Sequence, residues 1–114
     1  MFLQHSNKKN NDIQIIGVQP EDGAQIAGIR RWTPEYLPKI FDASKVDAVM
    51  DVSQLSAEKT TRELATQEGI FAGVSSGGAV AAALELSTQV NNATIVTIVC
   101  DRGDRYLSTG LFNA

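Results

Sequence analysis

The sequence contains a single cysteine, Cys100, and a single histidine, His5. One thiol excludes an internal disulfide and any Cys-rich zinc site, and it suits a reducing compartment. One histidine near the start leaves a serine hydrolase without its base, because in the relevant fold class the histidine follows the nucleophile along the chain. No run of 18 apolar residues is present, and Met1 is not followed by a signal-type apolar core, so neither a membrane-spanning helix nor a secretory leader is expected. Charge of one sign is also scarce. The chain has 10 Lys and Arg against 13 Asp and Glu, a net charge of -3. Its basic residues are scattered apart from Arg30-Arg31 and Arg102/Arg105, which makes nucleic acid a poor partner. G-x-x-x-x-G-K-[ST] and G-x-G-x-x-G phosphate motifs are missing as well.

What is present points to a globular α/β domain. At 114 residues, 43% apolar and 20% charged, the chain can bury a modest core and is expected to be one soluble, cytoplasmic unit. Residues 1–12 start apolar and end in a polar cluster, the pattern of a helix end followed by a loop. Ile13 to Val18 is β-branched and apolar and reads as a buried strand, ended by Gln19-Pro20-Glu21-Asp22-Gly23. Ala24 to Pro38 has no sustained period and is expected to be a long connection, with a helical turn after Thr33-Pro34. Lys45 to Val52 alternates with period two and reads as a second strand.

A helix is expected over roughly 56–68, capped by Ser53 or Ser56. Ala57, Thr61, Leu64, Ala65 and Glu68 lie on one face, and Gly69 is its left-handed terminator. Ile70-Phe71-Ala72 reads as a short strand. Ala79 to Val90 is apolar around most of its circumference, the mark of a buried helix. Ala93 to Cys100 is the strongest strand pattern in the chain. Alternating strands and helices with continuous apolar strands imply a mainly parallel sheet, and such sheets bind ligands at the carboxyl ends of their strands. Two turns fall there, Gly73 to Gly78 and Cys100 to Arg105.

Gly73-Val74-Ser75-Ser76-Gly77 fits G-x-S-x-G in a strand-turn-helix setting, but the missing histidine removes the nucleophile reading. Two readings stay open on the residues alone. Ser75 or Ser76 caps a helix, or faces a ligand that small neighbours let approach closely. Cys100 is either an inert small hydrophobe or a ligand-lining thiol. Arg30-Arg31-Trp32 is either a solvated charge pair beside a packed indole or an anion clamp. For Asp101, Arg102, Asp104 and Arg105 the plain expectation is a surface ion-pair loop of little energetic weight.

Several stretches taken together resemble the cysteine synthase family. They are Ile16 to Gly23, Ile29-Arg30-Arg31-Trp32, Arg62-Glu63-Leu64-Ala65, Glu68 through Ala81, and Cys100-Asp101-Arg102-Gly103-Asp104-Arg105-Tyr106-Leu107-Ser108-Thr109-Gly110. Arg-Arg-Trp and Cys-Asp-Arg-Gly-Asp-Arg resemble the B type of that family more than the A type. The resemblance implies the tryptophan synthase β-like fold of pyridoxal phosphate (PLP) enzymes. Residues 1–114 would form the C-terminal part of its large domain, a partial three-layer sandwich with three to four mainly parallel strands. It implies a homodimer that replaces the acetyl group of O-acetylserine, or a related activated serine, with sulfide or thiosulfate. In that family the first serine of Gly-Val-Ser-Ser-Gly contacts the pyridine nitrogen, a role that carries over to Ser75. A neutral hydroxyl there makes the ring a weak electron sink suited to β-elimination. Cys100 would line the same side of the ring, and Arg30, Arg31 and Trp32 would stand at the active-site entrance.

The departures are equally specific. None of Lys8, Lys9, Lys39, Lys45 and Lys59 has the Ser/Val-Lys-Asp/Glu-Arg setting of the family's Schiff-base lysine. The Gly/Thr-rich phosphate loop and the Asn-containing carboxylate loop have no counterpart. The chain matches about the last third of such an enzyme. The expectation is therefore a C-terminal portion of a cysteine synthase without activity of its own. Two alternatives stand beside it: one fragment of a split enzyme whose partner supplies the N-terminal portion, and a non-catalytic remnant or interaction module.

Overall fold

A computed structural model describes residues 13–24, 26 and 46–112. Strand β1 (Ile16–Pro20) pairs in parallel with β2 (Ala48–Val52), in a register running from Ile16 opposite Ala48 to Pro20 opposite Val52. The ladder extends past both ends of β1: Asp47 donates its N–H to the Ile15 carbonyl at 2.8 Å, and Glu21 donates to that of Val52 at 2.9 Å. β1 starts three residues later than the sequence pattern suggests and runs on through Pro20. Because the Glu21 N–H faces β2, strand alternation turns the Pro20 nitrogen to the other side, where a missing donor breaks no bond to β2. Gln19 Nε2 donates to Asp51 Oδ1 across the same pair at 2.8 Å.

Helix α1 (Gln54–Glu68) begins at Ser53, whose hydroxyl accepts from the Ser56 N–H at 3.0 Å. Of the two candidate caps, Ser53 is the one used. Gly69 ends the helix with φ 69°, and its N–H reaches the Leu64 carbonyl. A side chain resists that left-handed conformation, so glycine at this turn has a direct physical reason. The buried face is Ala57, Thr60, Thr61 and Leu64, while Ala65 is half-buried and Glu68 exposed.

Helix α2 (Val74–Ser87) begins five residues before the expected Ala79, so Val74 through Gly78 form its first turns and not a loop. Those turns are buried together with Ala82, whereas Leu84 is 56% exposed. Burial all round holds for the N-terminal half only. The two helices approach most closely at Gly77. A Cβ built there would lie 2.5 Å from the Ala57 carbonyl oxygen and still closer to Thr61 Oγ1, so any larger residue would wedge α1 and α2 apart.

The loop expected after Cys100 is largely a 3-10 helix, Gly103–Thr109. It is tied back by an isolated antiparallel bridge between Ala72 and Arg102 and by the Gly103 N–H donating to the Phe71 carbonyl at 3.0 Å. Among the described residues that single bridge is all the pairing that Ile70-Phe71-Ala72 contributes. Beyond the 3-10 helix, Phe112 packs at a tilt against Phe71 with ring centroids 4.9 Å apart and ring planes 52° apart, and Arg62 donates to the Leu111 carbonyl at 3.1 Å. The core joins Ile26, Val52, Ala57, Val74 and Leu111, with Val18, Ala81 and Phe112 packed against it.

Residues 93–100, the strongest strand pattern in the sequence, form no ladder with any described residue. Val96 is 84% exposed, and Ile95, Ile98 and Val99 are exposed as well. Strand propensity acts only when a neighbouring strand takes up the backbone groups, and no described strand runs alongside this segment. The α/β class and the parallel pairing stand, with two of the expected strands paired among the described residues. The N-terminal tail, most of the connection from Ala24 to Pro38 and the turn at Thr33-Pro34 lie outside the described residues.

Candidate functional site

The N-terminus of α2 is where the chain collects its polar chemistry. Gly73 is the N-cap residue and makes no side-chain cap bond. The missing partner comes from 28 residues further on: Asp101 Oδ1 accepts from the Gly73 N–H at 3.1 Å. Ser75 and Ser76, the second and third residues of the helix, donate their hydroxyls to the same carboxylate, Ser75 to Oδ2 at 3.1 Å and Ser76 to Oδ1 at 2.6 Å. A carboxylate here meets both the unpaired N–H groups of the first turn and the positive end of the helix dipole. Ser76 is fully buried and Ser75 nearly so, which makes this shared acceptor the condition for burying both hydroxyls.

Cys100 is exposed, not buried at the end of a strand, and its Sγ lies 3.5 Å from Ser75 Oγ. A hydroxyl has one proton. With the Ser75 proton directed at Asp101, the thiol S–H is the donor in the Ser75–Cys100 contact. Ser75 Oγ then keeps a lone pair for any group that approaches from the Cys100 side. The structure thus brings together two of the five residues that the resemblance singles out, Ser75 and Cys100. Arg30, Arg31 and Trp32 lie outside the described residues.

Sequence reasoning missed Asp101, which it left in a surface ion-pair loop. Arg102 and Asp104 fit that description, 3.4 Å apart and both well exposed. The overlooked signal was an acidic residue at the carboxyl end of one segment while a Gly-Val-Ser-Ser helix start, rich in unpaired donors, lay at the end of another. Among the described residues no group of three His, Cys, Asp or Glu side chains is arranged to hold a metal ion, and no helix is long and apolar enough to cross a membrane. A separate groove of about 490 Å³ opens where β1 and β2 end and is lined by Glu21, Asp51, Lys59, Glu63 and Glu85 among others. Lys59 is drawn to Glu63 at 3.8 Å, so the groove is acidic and unsuited to a phosphate.

Residues 2–101 match the family described as pyridoxal-phosphate dependent enzyme. Cysteine synthase B of Pseudomonas aeruginosa is 57% identical over 110 residues, 96% of this chain and 37% of the relative. Cysteine synthase B of Escherichia coli is 59% identical over 111 residues, 97% of this chain and 36% of the relative. Among solved structures, the cysteine synthase of Entamoeba histolytica superposes with a TM-score of 0.86 at 31% identity, covering 98% of this chain and 36% of that one. The chain therefore spans a little over a third of the length of the curated relatives it matches. With the family matched over most of its length and its parallel α/β fold shared with a solved cysteine synthase, this chain belongs to the pyridoxal-phosphate dependent enzymes, and within them it is similar to the C-terminal third of cysteine synthase B.

Proposed function

We propose that this chain is the C-terminal part of a cytoplasmic, homodimeric cysteine synthase. Its reaction would replace the activated hydroxyl of an O-acetylserine-type substrate with sulfide or thiosulfate. The observation that carries the reading is 57–59% identity to cysteine synthase B across nearly the whole chain. Bound PLP would supply an electron sink for the substrate's α-carbon, so that the β-substituent can leave.

The described residues fit the ring end of that cofactor. Ser75 offers an oriented, neutral oxygen at the rim of the helix start, Gly73 brings no side chain to obstruct the approach, and Cys100 lines the same side. Asp101 would hold Ser75 and Ser76 in fixed rotamers, and the Ser75 hydroxyl would turn its proton from Asp101 to the ring nitrogen, which in its unprotonated form only accepts. Arg30, Arg31 and Trp32 would bind and orient the anionic end of the substrate or sulfur donor, because guanidinium forks match carboxylate and sulfonate-like oxygens.

This polypeptide on its own is proposed to be inactive. The only lysine among the described residues, Lys59, is exposed and paired with Glu63. Purified chain incubated with PLP, O-acetylserine and sulfide should yield no cysteine. Co-expression with the N-terminal two-thirds of Escherichia coli cysteine synthase B should restore cysteine formation. Turnover by the chain alone would refute the first statement, and an inactive but well-formed complex the second. The unpaired segment 93–100 also favours a second reading, an interaction module without catalysis. In that case association would occur and no cysteine would form in any combination.

A further inference from the structure

We infer that Arg62 is a positioning residue for the start of α2: from α1 it fastens the far end of segment 101–112, a strap whose near end holds Asp101 against the helix start that carries Ser75. The strap is fixed by a charged group at each end. At the near end the Asp101 carboxylate accepts from the Gly73 N–H at 3.1 Å and from the Ser76 hydroxyl at 2.6 Å. At the far end the half-buried Arg62 guanidinium donates to the Leu111 carbonyl at 3.1 Å. Leu111 is buried in the core, so its carbonyl needs a donor from within the protein, and a charged donor makes the stronger bond. Among the described residues Arg62 makes no ion pair, and this carbonyl is what its charge serves.

Between its two ends the strap has little slack. Gly110 turns the chain with φ 80°, and Leu111 behind it joins Ala57 of α1 and Val74 of α2 in the core. Phe112 packs against Phe71, and the Phe71 ring lies so close over Gly103 that an added Cβ would meet it at 2.6 Å. The Gly103 N–H donates to the Phe71 carbonyl at 3.0 Å, and Arg102 bridges to Ala72. Phe71 and Ala72 lead directly into Gly73, so the contacts run unbroken from Arg62 through Leu111, Phe112, Phe71 and Gly103 to Asp101. Asp101 precedes Gly103 by two residues, too short a tether to keep its place once Gly103 shifts. Close-packed neighbours of this kind transmit a displacement instead of absorbing it. Releasing the far end of the strap therefore loosens Asp101, and with it the orientation of Ser75.

This inference rests on the reading of Ser75 as a cofactor contact, and amide measurements on the full chain without cofactor test the positioning by itself. Arg62→Met keeps the aliphatic stem and removes the donor. It should speed exchange of the Gly73 and Gly103 amides at least tenfold relative to amides within the β1–β2 ladder, which report global opening. It should also move the Gly73 amide proton resonance toward its position in Asp101→Asn. Arg62→Lys should recover most of both effects, because a single bond to one carbonyl does not need the guanidinium fork. Ser53→Ala, which weakens α1 from its other end, should leave the Gly73 resonance where it is in the parent. Parent-like Gly73 and Gly103 amides in Arg62→Met, equal behaviour of the methionine and lysine variants, or the same Gly73 shift in Ser53→Ala would overturn the inference. In the complex with the N-terminal two-thirds of Escherichia coli cysteine synthase B, Arg62→Met should lower kcat severalfold at unchanged KM, because Arg62 acts through the strap and not on substrate. Unchanged kcat in an active complex would overturn the inference as well. A parent complex that forms no cysteine would refute the proposed activity and leave the amide result to decide the role of Arg62.

Discussion

Ser76 donates its hydroxyl to Asp101 Oδ1 at 2.6 Å, closing a contact between the first turn of α2 and a residue 25 positions later. The same carboxylate takes the Ser75 hydroxyl and the Gly73 N–H, so a side chain from a distant loop accepts the N-cap residue's own N–H, the bond that the third helical residue supplies in a capping box.

Replacing Asp101 is expected to expose that dependence. Asp101→Ala leaves the buried Ser76 hydroxyl and the Gly73 N–H without their acceptor and should destabilise the chain by about 2 kcal/mol. Asp101→Asn keeps one acceptor oxygen but loses the charge at the helix terminus, and should cost about half as much. Urea denaturation followed by far-UV circular dichroism checks both values. Equal stability of parent and alanine variant would show that the carboxylate does not anchor the helix start.

A contrast between two serines tests the start of α1. Ser53→Ala removes the oxygen that accepts from the Ser56 N–H and should cost about 1 kcal/mol. Ser56→Ala removes an exposed hydroxyl that makes no capping bond and should fall within about 0.5 kcal/mol of the parent. Thermal melts of the two variants side by side decide the assignment.

These local devices also mark how far the sequence could be read. Ser53, Gly69 and the apolar face through Ala57, Thr61 and Leu64 follow from helix rules that involve neighbours only, and they were foreseeable. The strands at Ile16–Pro20 and Ala48–Val52 were readable from their β-branched and alternating runs, whereas their pairing with each other and its register, Ile16 opposite Ala48, were not. The start of α2 was misplaced because Gly-Val-Ser-Ser-Gly-Gly has poor intrinsic helix propensity, and only the distant Asp101 makes those residues a viable first turn. Residues 93–100 mislead for the opposite reason. Their propensity is right, but a strand is a relationship between two segments, and the second is not among the described residues. At the site, Ser75 was identifiable by family resemblance alone, whereas its orientation by Asp101 required knowing which loops meet.

Cys100 should react as a single accessible thiol in the folded chain. Its exposure predicts full modification by an aromatic disulfide reagent without denaturant, one equivalent per chain. Because Sγ lies 3.5 Å from Ser75 Oγ, the attached group would crowd the proposed ring position, and complex reconstituted from modified chain should lose cysteine formation. Cys100→Ser should resist modification and retain activity. Loss of activity on treating the Cys100→Ser complex would assign the effect to another residue.

Two glycines that both sit against side chains should differ sharply in what alanine does to them. At Gly103 a Cβ would come within 2.6 Å of the Phe71 ring and 3.0 Å of the Ala72 carbonyl oxygen; the carbonyl need give only a few tenths of an ångström, and Phe71, 46% exposed and tilted against a half-buried Phe112, can swing toward solvent. Gly103→Ala should cost about 1 kcal/mol. At Gly77 the obstruction includes the Ala57 carbonyl, which belongs to the α1 backbone and yields only if the helix moves. Gly77→Ala should cost about 3 kcal/mol, the upper end for overpacking, and shortening Thr61 in a Gly77→Ala/Thr61→Ala double variant should recover only part of that loss. Complete recovery would mean that Thr61 alone sets the helix separation, and the backbone contact with Ala57 would then carry no weight.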